Sequence, residues 1–335
     1  MSSGSSAITP RTTVIVCCFN SATRIAATLE ILSAQQFAAA WEVFVVDNRS
    51  TDGTADIAKR SWSRPDIPLT VLYEERQGLV WARICGLRAA RGEWICFVDD
   101  DNHLSADYLA IADGIFAAHP GIGLIGGEGA PNFVGGAPAW LTPEWFRSLA
   151  IGPQGTNEGV LPEQDYIYGA GMCIRRRVWS DIEKVDWQPL MQGRSGKLLL
   201  SGEDAEMCSL AFALGWRAYF CPRLRFLHLI PGNRLTWSYW LRLYEGFGRT
   251  AAAYNVLGDA LRLRHRRAMR WAVLAARAGY ALAHIPGLPV FFIARKVLPE
   301  GSRLAARSSF RLGYALHGVR GLIRVWRAQW WRNVH

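Results

Sequence analysis

The sequence predicts an α/β fold, an open and mainly parallel sheet covered by helices on both faces. Three observations predict it. Short apolar runs rich in β-branched residues alternate with stretches of helical spacing over the first 125 residues. The runs are apolar throughout, as strands buried on both faces are. Several of them end in Asn or Asp, which suits strands whose carboxyl ends meet at a ligand crevice.

The elements follow in order. TTVIVCCF (12–19) is the first buried strand, and residues 21–36 carry Ile25, Leu29 and Leu32 at helical spacing. WEVFVVD (41–47) is the second strand, and TDGT opens a short helix over 52–62. LTVLY (69–73) is the third strand, 79–91 a helix, and GEWICFVD (92–99) the fourth strand. A helix over 105–118 and the run GIGLIGG come next. Right-handed crossovers are the default for such units. Residues 126–165 are rich in Gly and Pro and read as a long, partly irregular connection containing Trp140 and Trp145. YGAGMCIRR (168–176) returns to extended character, 203–214 forms a helix, and WRAYFCP (216–222) a strand. Residues 1–235 read as one α/β domain and 236–335 as a separate basic, helical region.

Composition sets limits. The chain has 335 residues, 50% apolar and 20% charged, which excludes global disorder. Seven cysteines without a CxxC pair exclude a disulfide scaffold and argue against a tetrahedral zinc site. Cys17, Cys18 and Cys96 fall in strand runs and read as reduced core thiols. The polar start MSSGSSAITPRT lacks the apolar stretch of a signal peptide, so the expectation is a site facing the cytoplasm. The net charge of +10 is uneven, with −4 over residues 1–240 and +14 over 241–335. Such asymmetry points to an anionic partner, either nucleic acid or the inner membrane leaflet.

In that basic region Arg262, Arg266, Arg270 and Arg277 fall within about 80° of one another on a helix. Trp271, Val273, Leu274, Tyr280 and Leu282 supply apolar contact. Arg320, Arg324 and Arg327 form a second stripe beside Ile323, Trp326 and Trp330. Basic, aromatic helices of this kind lie in membrane interfaces. The run 271–294 is broken by Arg277, His284, Pro286 and Pro289, which favours a monotopic or re-entrant anchor over a span. A packed helical subdomain or an oligomer interface is the alternative. Nucleic acid fits least, because no recognition motif accompanies the charge.

The strongest chemical signal is Asp99-Asp100-Asp101 directly after a strand. Adjacent carboxylates raise one another's pKa unless a cation relieves them, and hard oxygen ligands suit Mg²⁺ or Mn²⁺. The structural alternative is an acidic loop or helix start, with Ser105 capping the next helix. Asp47 also ends a strand and needs a donor, such as a pyrimidine N–H, whereas Asp52-Gly53 reads as turn chemistry. Arg83, on the helix leading to the acidic strand, suits either a metal-bound diphosphate or a surface ion pair.

The chain resembles the inverting glycosyltransferases of family 2, with the Rossmann-like GT-A fold. Five stretches carry the resemblance in the family's order: VIVCCFN, VVDNRSTDGT, GLVWARICGLRAARGEWICFVDDDN, YGAGMCIRR and SGEDAEMCSLAFALGWRAYFCP. They span residues 14–222 and leave 236–335 uncovered. The resemblance implies an Asp-x-Asp motif at Asp99 and Asp101, with Asp101 on the metal and Asp99 near the donor ribose or metal. Asp100 lies within the same donor-binding motif. It further implies that Asp47 contacts the base, Arg83 the nucleotide, and that Phe19 and Asn20 border the base pocket. Asn48 and Asn102 stand where further acids are common, and Cys17 where many members have Pro. UDP is then favoured over GDP or dTDP.

At Ser201-Gly202-Glu203-Asp204-Ala205-Glu206 three acids begin a helix, where the dipole alone would favour them. The family's Glu-Asp pair at this helix start implies Asp204 as the general base, with Glu203 orienting an acceptor hydroxyl. His228, in RLRFLHLIPGNR, would complete the metal shell, or is a satisfied histidine. Arg234 would clamp the departing diphosphate, or is a surface cation. Gly169-Ala170-Gly171 would bring backbone close to the acceptor sugar, or simply turns. The implied partners are a nucleotide-sugar donor, a lipid-linked or glycan acceptor and an anionic membrane surface. The implied place is the cytoplasmic face of the inner membrane. The family's processive synthases carry QxxRW and several spanning helices, and this sequence has neither, so one sugar per acceptor is expected. A catalytically silent GT-A module docking to a membrane glycan-assembly complex is the competing reading. A nucleotidyltransferase is disfavoured because CCFNSATR is not a Gly-rich basic loop.

Overall fold

The structure is a computed structural model describing residues 9–163, 165–194, 199–263, 267–328 and Val334. Of the basic and aromatic C-terminal positions singled out above, Arg266 and Trp330 lie outside the described residues. So do the side chains of Arg270, Trp271, Leu274 and Trp326.

The first half builds as its apolar runs require. Strands β1 (Thr12–Cys18), β2 (Trp41–Asp47), β3 (Leu69–Tyr73) and β4 (Trp94–Asp99) alternate with α1 (Ile25–Ser33), α2 (Thr54–Ser61) and α3 (Leu79–Ala89). The four strands pair in parallel in the order β3-β2-β1-β4. Alternate side chains go to opposite faces. Val14, Val16 and Cys18 pack with α1 on one side, while Ile15 and Cys17 pack with α3 on the other. Both faces are filled, which is why these strands show no polar alternation.

The sheet then becomes mixed. After β5 (Asn102–Leu104), α4 (Tyr108–Ala118) leads into the long β6 (Ile122–Phe133). The helix expected from 105 starts at 108. Ser105 does not cap it with its side chain; its carbonyl accepts from the Tyr108 N–H at 3.0 Å. The Gly/Pro-rich connection holds a 3₁₀ turn at Pro143–Leu149 and the short β7 (Gly159–Val160). Only Cys173–Arg175 of YGAGMCIRR is a strand, β8, and it joins β4 to β6 by antiparallel pairing. Then come α5 (Arg176–Lys184), α6 (Glu203–Ala213) and β9 (Arg217–Ile230). β9 outruns the expected 216–222 by eight residues. Leu224, Phe226, His228 and Ile230 alternate inward along that extension, a period-2 pattern blurred in the sequence by the outward Leu227 and Leu229 around the inward His228. β9 lies parallel to β6 and antiparallel to β5 and β7.

The basic region forms α7 (Trp237–Arg262), α8 (Arg267–Ala283), α9 (Leu288–Val297) and α10 (Arg303–Ala328). Thr236 caps α7 by accepting from the Tyr239 N–H. α7 and α10 lie backbone against backbone: a Cβ on Gly248 would fall 1.9 Å from the Phe310 carbonyl, and one on Gly313 2.0 Å from that of Glu245. Val256, Leu257, Leu261, Leu322 and Val325 share one apolar cluster with α3, α5 and α6. α7 and α10 are thus packed against the layer formed by α3, α5 and α6. Among the described residues, no helix is long and apolar enough to cross a membrane.

Candidate active site

The parallel registers place Cys17 beside Asp99 and Cys18 beside Asp47, so the acidic strand ends meet at one edge of the sheet. A cavity of about 1030 Å³ opens there. Phe19, Arg83, Asp99, Asp100, Asp101, Gly169, Ala170, Glu203, Asp204, His228 and Arg234 all line it. Three other positions singled out in the sequence do not. Asp47 accepts from the Ser50 N–H at 2.8 Å, and Asn20 accepts from the Thr51 N–H at 2.9 Å, so both shape the loops beside the cavity. The Gly171 carbonyl accepts from the buried Tyr108 hydroxyl at 2.7 Å.

The acid trio is split by its surroundings. Asp101 is buried with Arg234 Nη1 at 3.0 Å and His228 Nε2 at 3.6 Å, and these neighbours hold its carboxyl well below the usual range against a desolvation cost. The fold brings His228 there because β5 pairs with β9, with Asn102 opposite His228 and the Leu229 N–H bonded to the Asp101 carbonyl at 2.8 Å. Arg234 follows on a 3₁₀ turn at Gly232–Arg234. Asp100 turns to the Ser21 hydroxyl and to Arg24 at 2.6 Å; burial, then the Asp101 charge, pushes it up to about 6. Asp99 is raised by burial and opposed by Arg83.

Arg83 is only 2% exposed and bridges two elements. Its guanidinium lies 3.6 Å from Asp99 and 3.4 Å from Glu203, above the Phe97 ring. Gly169 permits this, since a Cβ there would fall 2.1 Å from Arg83 Nη2. Arg83 is therefore a buried ion-pair centre, not the surface pair considered above. Glu203 is pushed up to about 7 by burial and the Asp204 charge, and its Oε2 has no partner. Asp204 accepts from the Gly169 N–H at 3.1 Å and the Ala205 N–H at 2.8 Å. The tight entry into α6 uses Gly202 at φ +104°, where a Cβ would also press on Met191.

Asp101 and His228 offer a hard carboxylate and an imidazole 3.6 Å apart, with His228 Nδ1 and Asn102 Oδ1 lacking partners. Among the described residues no three His, Cys, Asp or Glu gather as a complete metal shell. A Mg²⁺ or Mn²⁺ ion fits two protein ligands when phosphate oxygens supply the rest.

Several lining residues escaped the sequence reading. Arg24, Arg147, Tyr166, Tyr168, Arg194, Arg242 and Tyr254 come from five separate segments, and only tertiary packing unites them. Tyr168 alone had a local signal, as the residue immediately before Gly169-Ala170-Gly171.

An open sheet whose parallel strands deliver carboxylates to one crevice, faced by an acidic helix start, is the architecture of the GT-A glycosyltransferases. Solved structures agree on the fold. The mannosyltransferase PcManGT from Pyrobaculum calidifontis, in complex with GDP-Man and Mn²⁺, aligns with a TM-score of 0.57 and 21% identity over 93% of this chain and 88% of its own. Staphylococcus aureus TarS in complex with UDP-GlcNAc aligns at 0.53 and 18% identity over 92% and 90%.

The glycosyl transferase family 2 model matches residues 13–179, and through this segment the chain belongs to that family. The putative glycosyltransferase EpsH of Bacillus subtilis is 36% identical over 100 residues, 30% of this chain and 28% of EpsH. The poly(ribitol-phosphate) beta-N-acetylglucosaminyltransferase TarS of S. aureus is 32% identical over 107 residues, 32% of this chain and 19% of TarS. The aligned stretches thus span less than a third of these relatives' lengths.

Proposed function

We propose that the protein is a metal-dependent inverting glycosyltransferase moving one sugar from a nucleotide-sugar, preferably a UDP-sugar, to a hydroxyl of a lipid-linked or polysaccharide-precursor acceptor. The observation that carries the reading is the convergence of Asp99, Asp101, Arg83, His228, Arg234 and Asp204 on one cavity. Asp101 and His228 would hold Mg²⁺ or Mn²⁺, which when bound offsets negative charge on the diphosphate. Arg234 adds a charge-assisted donor beside the same carboxylate. Arg83 keeps Asp99 and Glu203 in place, so that the donor edge and the start of α6 hold a fixed separation. Asp204, held by two backbone N–H groups, takes the acceptor's proton as its oxygen attacks the anomeric carbon opposite the leaving group.

The lipid-linked acceptor reading draws support from the C-terminal helices. Residues 260–299 contain eight Lys/Arg and no Asp/Glu. The same stretch exposes Tyr280, Leu282, Ile285, Val290, Ile293 and Val297, the last two valines at 65% and 71%. Apolar side chains rimmed by cations suit the surface of an anionic leaflet, which supports reading the protein as peripheral on the cytoplasmic face. Not every cation is free for lipid, since Arg262 and Arg277 both end on Asp259, at 2.9 and 3.0 Å.

The test is Asp204→Asn. UDP affinity should stay within about twofold while transfer falls ~10²–10⁴-fold. Normal turnover in the variant would assign the proton to another group.

A further inference from the structure

We propose that the far half of the cavity is a subsite for a phosphate-bearing acceptor, with Tyr166 and Tyr168 against its sugar and Arg147 and Arg242 on its phosphate. This rests on the reading of Asp204 as the base, because Asp204 lies within electrostatic reach of both Arg83 and the two tyrosines.

On the donor side three arginines are paired. Arg83, Arg24 and Arg234 each lie against a carboxylate. The far half differs. Arg147 and Arg242 line the same cavity, both exposed, and among the described residues neither has a carboxylate partner. Glu144 lines the cavity too but is taken by Arg303, so the two guanidiniums carry charge that an anion would offset. Their planar forks suit phosphate oxygens.

The second observation is a buried, unsatisfied hydroxyl. Tyr168 is 4% exposed and lines the cavity, and its Oη has no hydrogen-bond partner. A buried phenol without a partner is costly, and a ligand hydroxyl or phosphate oxygen would satisfy it. Burial pushes this phenol up to about 12, so it stays a proton donor at neutral pH. Tyr166 stands edge-on to Tyr168 at 5.9 Å and to Tyr254 at 6.5 Å, which makes an aromatic wall. The Arg147 guanidinium is 5.9 Å from the ring centroids of both Tyr166 and Tyr168, so the wall and the cation form one surface. Such a wall offers apolar area to a sugar ring and hydroxyls to its oxygens.

Arg242 and Tyr254 come from α7, outside the family-matched segment 13–179. Arg147, Tyr166 and Tyr168 come from within that segment, so the subsite is assembled from both parts of the chain. The shared ligand chemistry is a phosphate ester adjoining the acceptor residue. It could come from a lipid diphosphate or from a polyol-phosphate chain.

The test uses the full chain with saturating UDP and Mn²⁺, titrated with geranyl diphosphate, ribitol 5-phosphate and geraniol by tryptophan fluorescence. One phosphorylated probe should bind at least roughly tenfold tighter than geraniol. Tighter binding of geranyl diphosphate indicates a lipid source, and tighter binding of ribitol 5-phosphate a polyol source. The Arg147→Ala/Arg242→Ala double variant should weaken that probe about tenfold or more and leave UDP affinity unchanged. Tyr168→Phe, nearly isosteric, should weaken it about threefold or more. Arg147→Gln/Arg242→Gln, checked for an unchanged melting temperature, guards against a folding defect. Equal affinity for geraniol, or unchanged affinity in both double variants, would overturn the subsite. Arginine-dependent probe binding without any UDP binding would instead sink the donor reading and leave the subsite standing.

Discussion

Glu206 shows how much a single buried side chain decides. Read along the chain it is one more acid at a helix start. In the fold it is fully buried, and three donors converge on it: Trp187 Nε1 at 2.9 Å, the Leu190 N–H at 3.0 Å and the Met191 N–H at 2.9 Å. It thereby pins the segment whose next residues accept from the start of α3, through Gln192 and Arg194. Burial, opposed by those bonds, pushes its carboxyl up to about 7. A folded pKa above the unfolded one means that the fold prefers the protonated acid. Its stabilisation is complete below the ordinary carboxylate pKa and is lost as pH rises through about 7. Glu203, also raised to about 7, acts in the same direction. The melting temperature should therefore fall between about pH 5 and pH 8. Glu206→Gln should reduce that slope by roughly half, leaving the Glu203 contribution. A variant profile as steep as the parent's would remove Glu206 from this role. The acids after β4, Asp204, His228 and Arg234 were legible because each stands in a compact motif. Glu206 was visible but its task was not, since its partners lie 15 to 19 residues upstream in a segment without periodicity.

At the scale of elements, two contacts set the site. β5 and β9 pair so that His228 stands beside the Asp101 carboxylate. The sequence reading put Asp101 and His228 on one metal but stopped β9 at residue 222, and so missed the strand pairing that brings them together. The four parallel strands were easier to read, because burial on both faces leaves an unbroken apolar run. The second contact is α7 against α10, where Gly248 and Gly313 admit the opposing backbone. That contact could not be read locally, because a helical glycine does not announce what it faces. Gly248→Ala should lower unfolding stability by about 1–3 kcal/mol, by overpacking. Gly114→Ala, on the exposed side of α4 with nothing within 4 Å of the added Cβ, should raise it by about 0.4–1 kcal/mol. Denaturant midpoints measure both. A neutral Gly248→Ala would mean that the two helices separate readily.

At the scale of the whole molecule, charge and packing divide the chain differently. Charge separates a slightly acidic body from a basic end at about residue 240. Packing does not, since α7 and α10 contribute to the apolar cluster under the sheet. Deleting the basic end would therefore remove core, and point changes on α9 are the cleaner probe of membrane association. Val290→Glu/Ile293→Glu should release the protein from vesicles of equal phosphatidylglycerol and phosphatidylcholine, with the melting temperature unchanged. Co-sedimentation equal to the parent's would locate any membrane contact elsewhere. The central claim is narrower: a divalent cation joins Asp101 to the donor diphosphate. It is tested most directly by calorimetric titration of UDP with and without Mn²⁺, on the parent and on Asp101→Asn. Binding to the parent should tighten at least ~10-fold with Mn²⁺, and Asp101→Asn should abolish that gain. An Mn²⁺ enhancement of the same size in the variant would contradict the account.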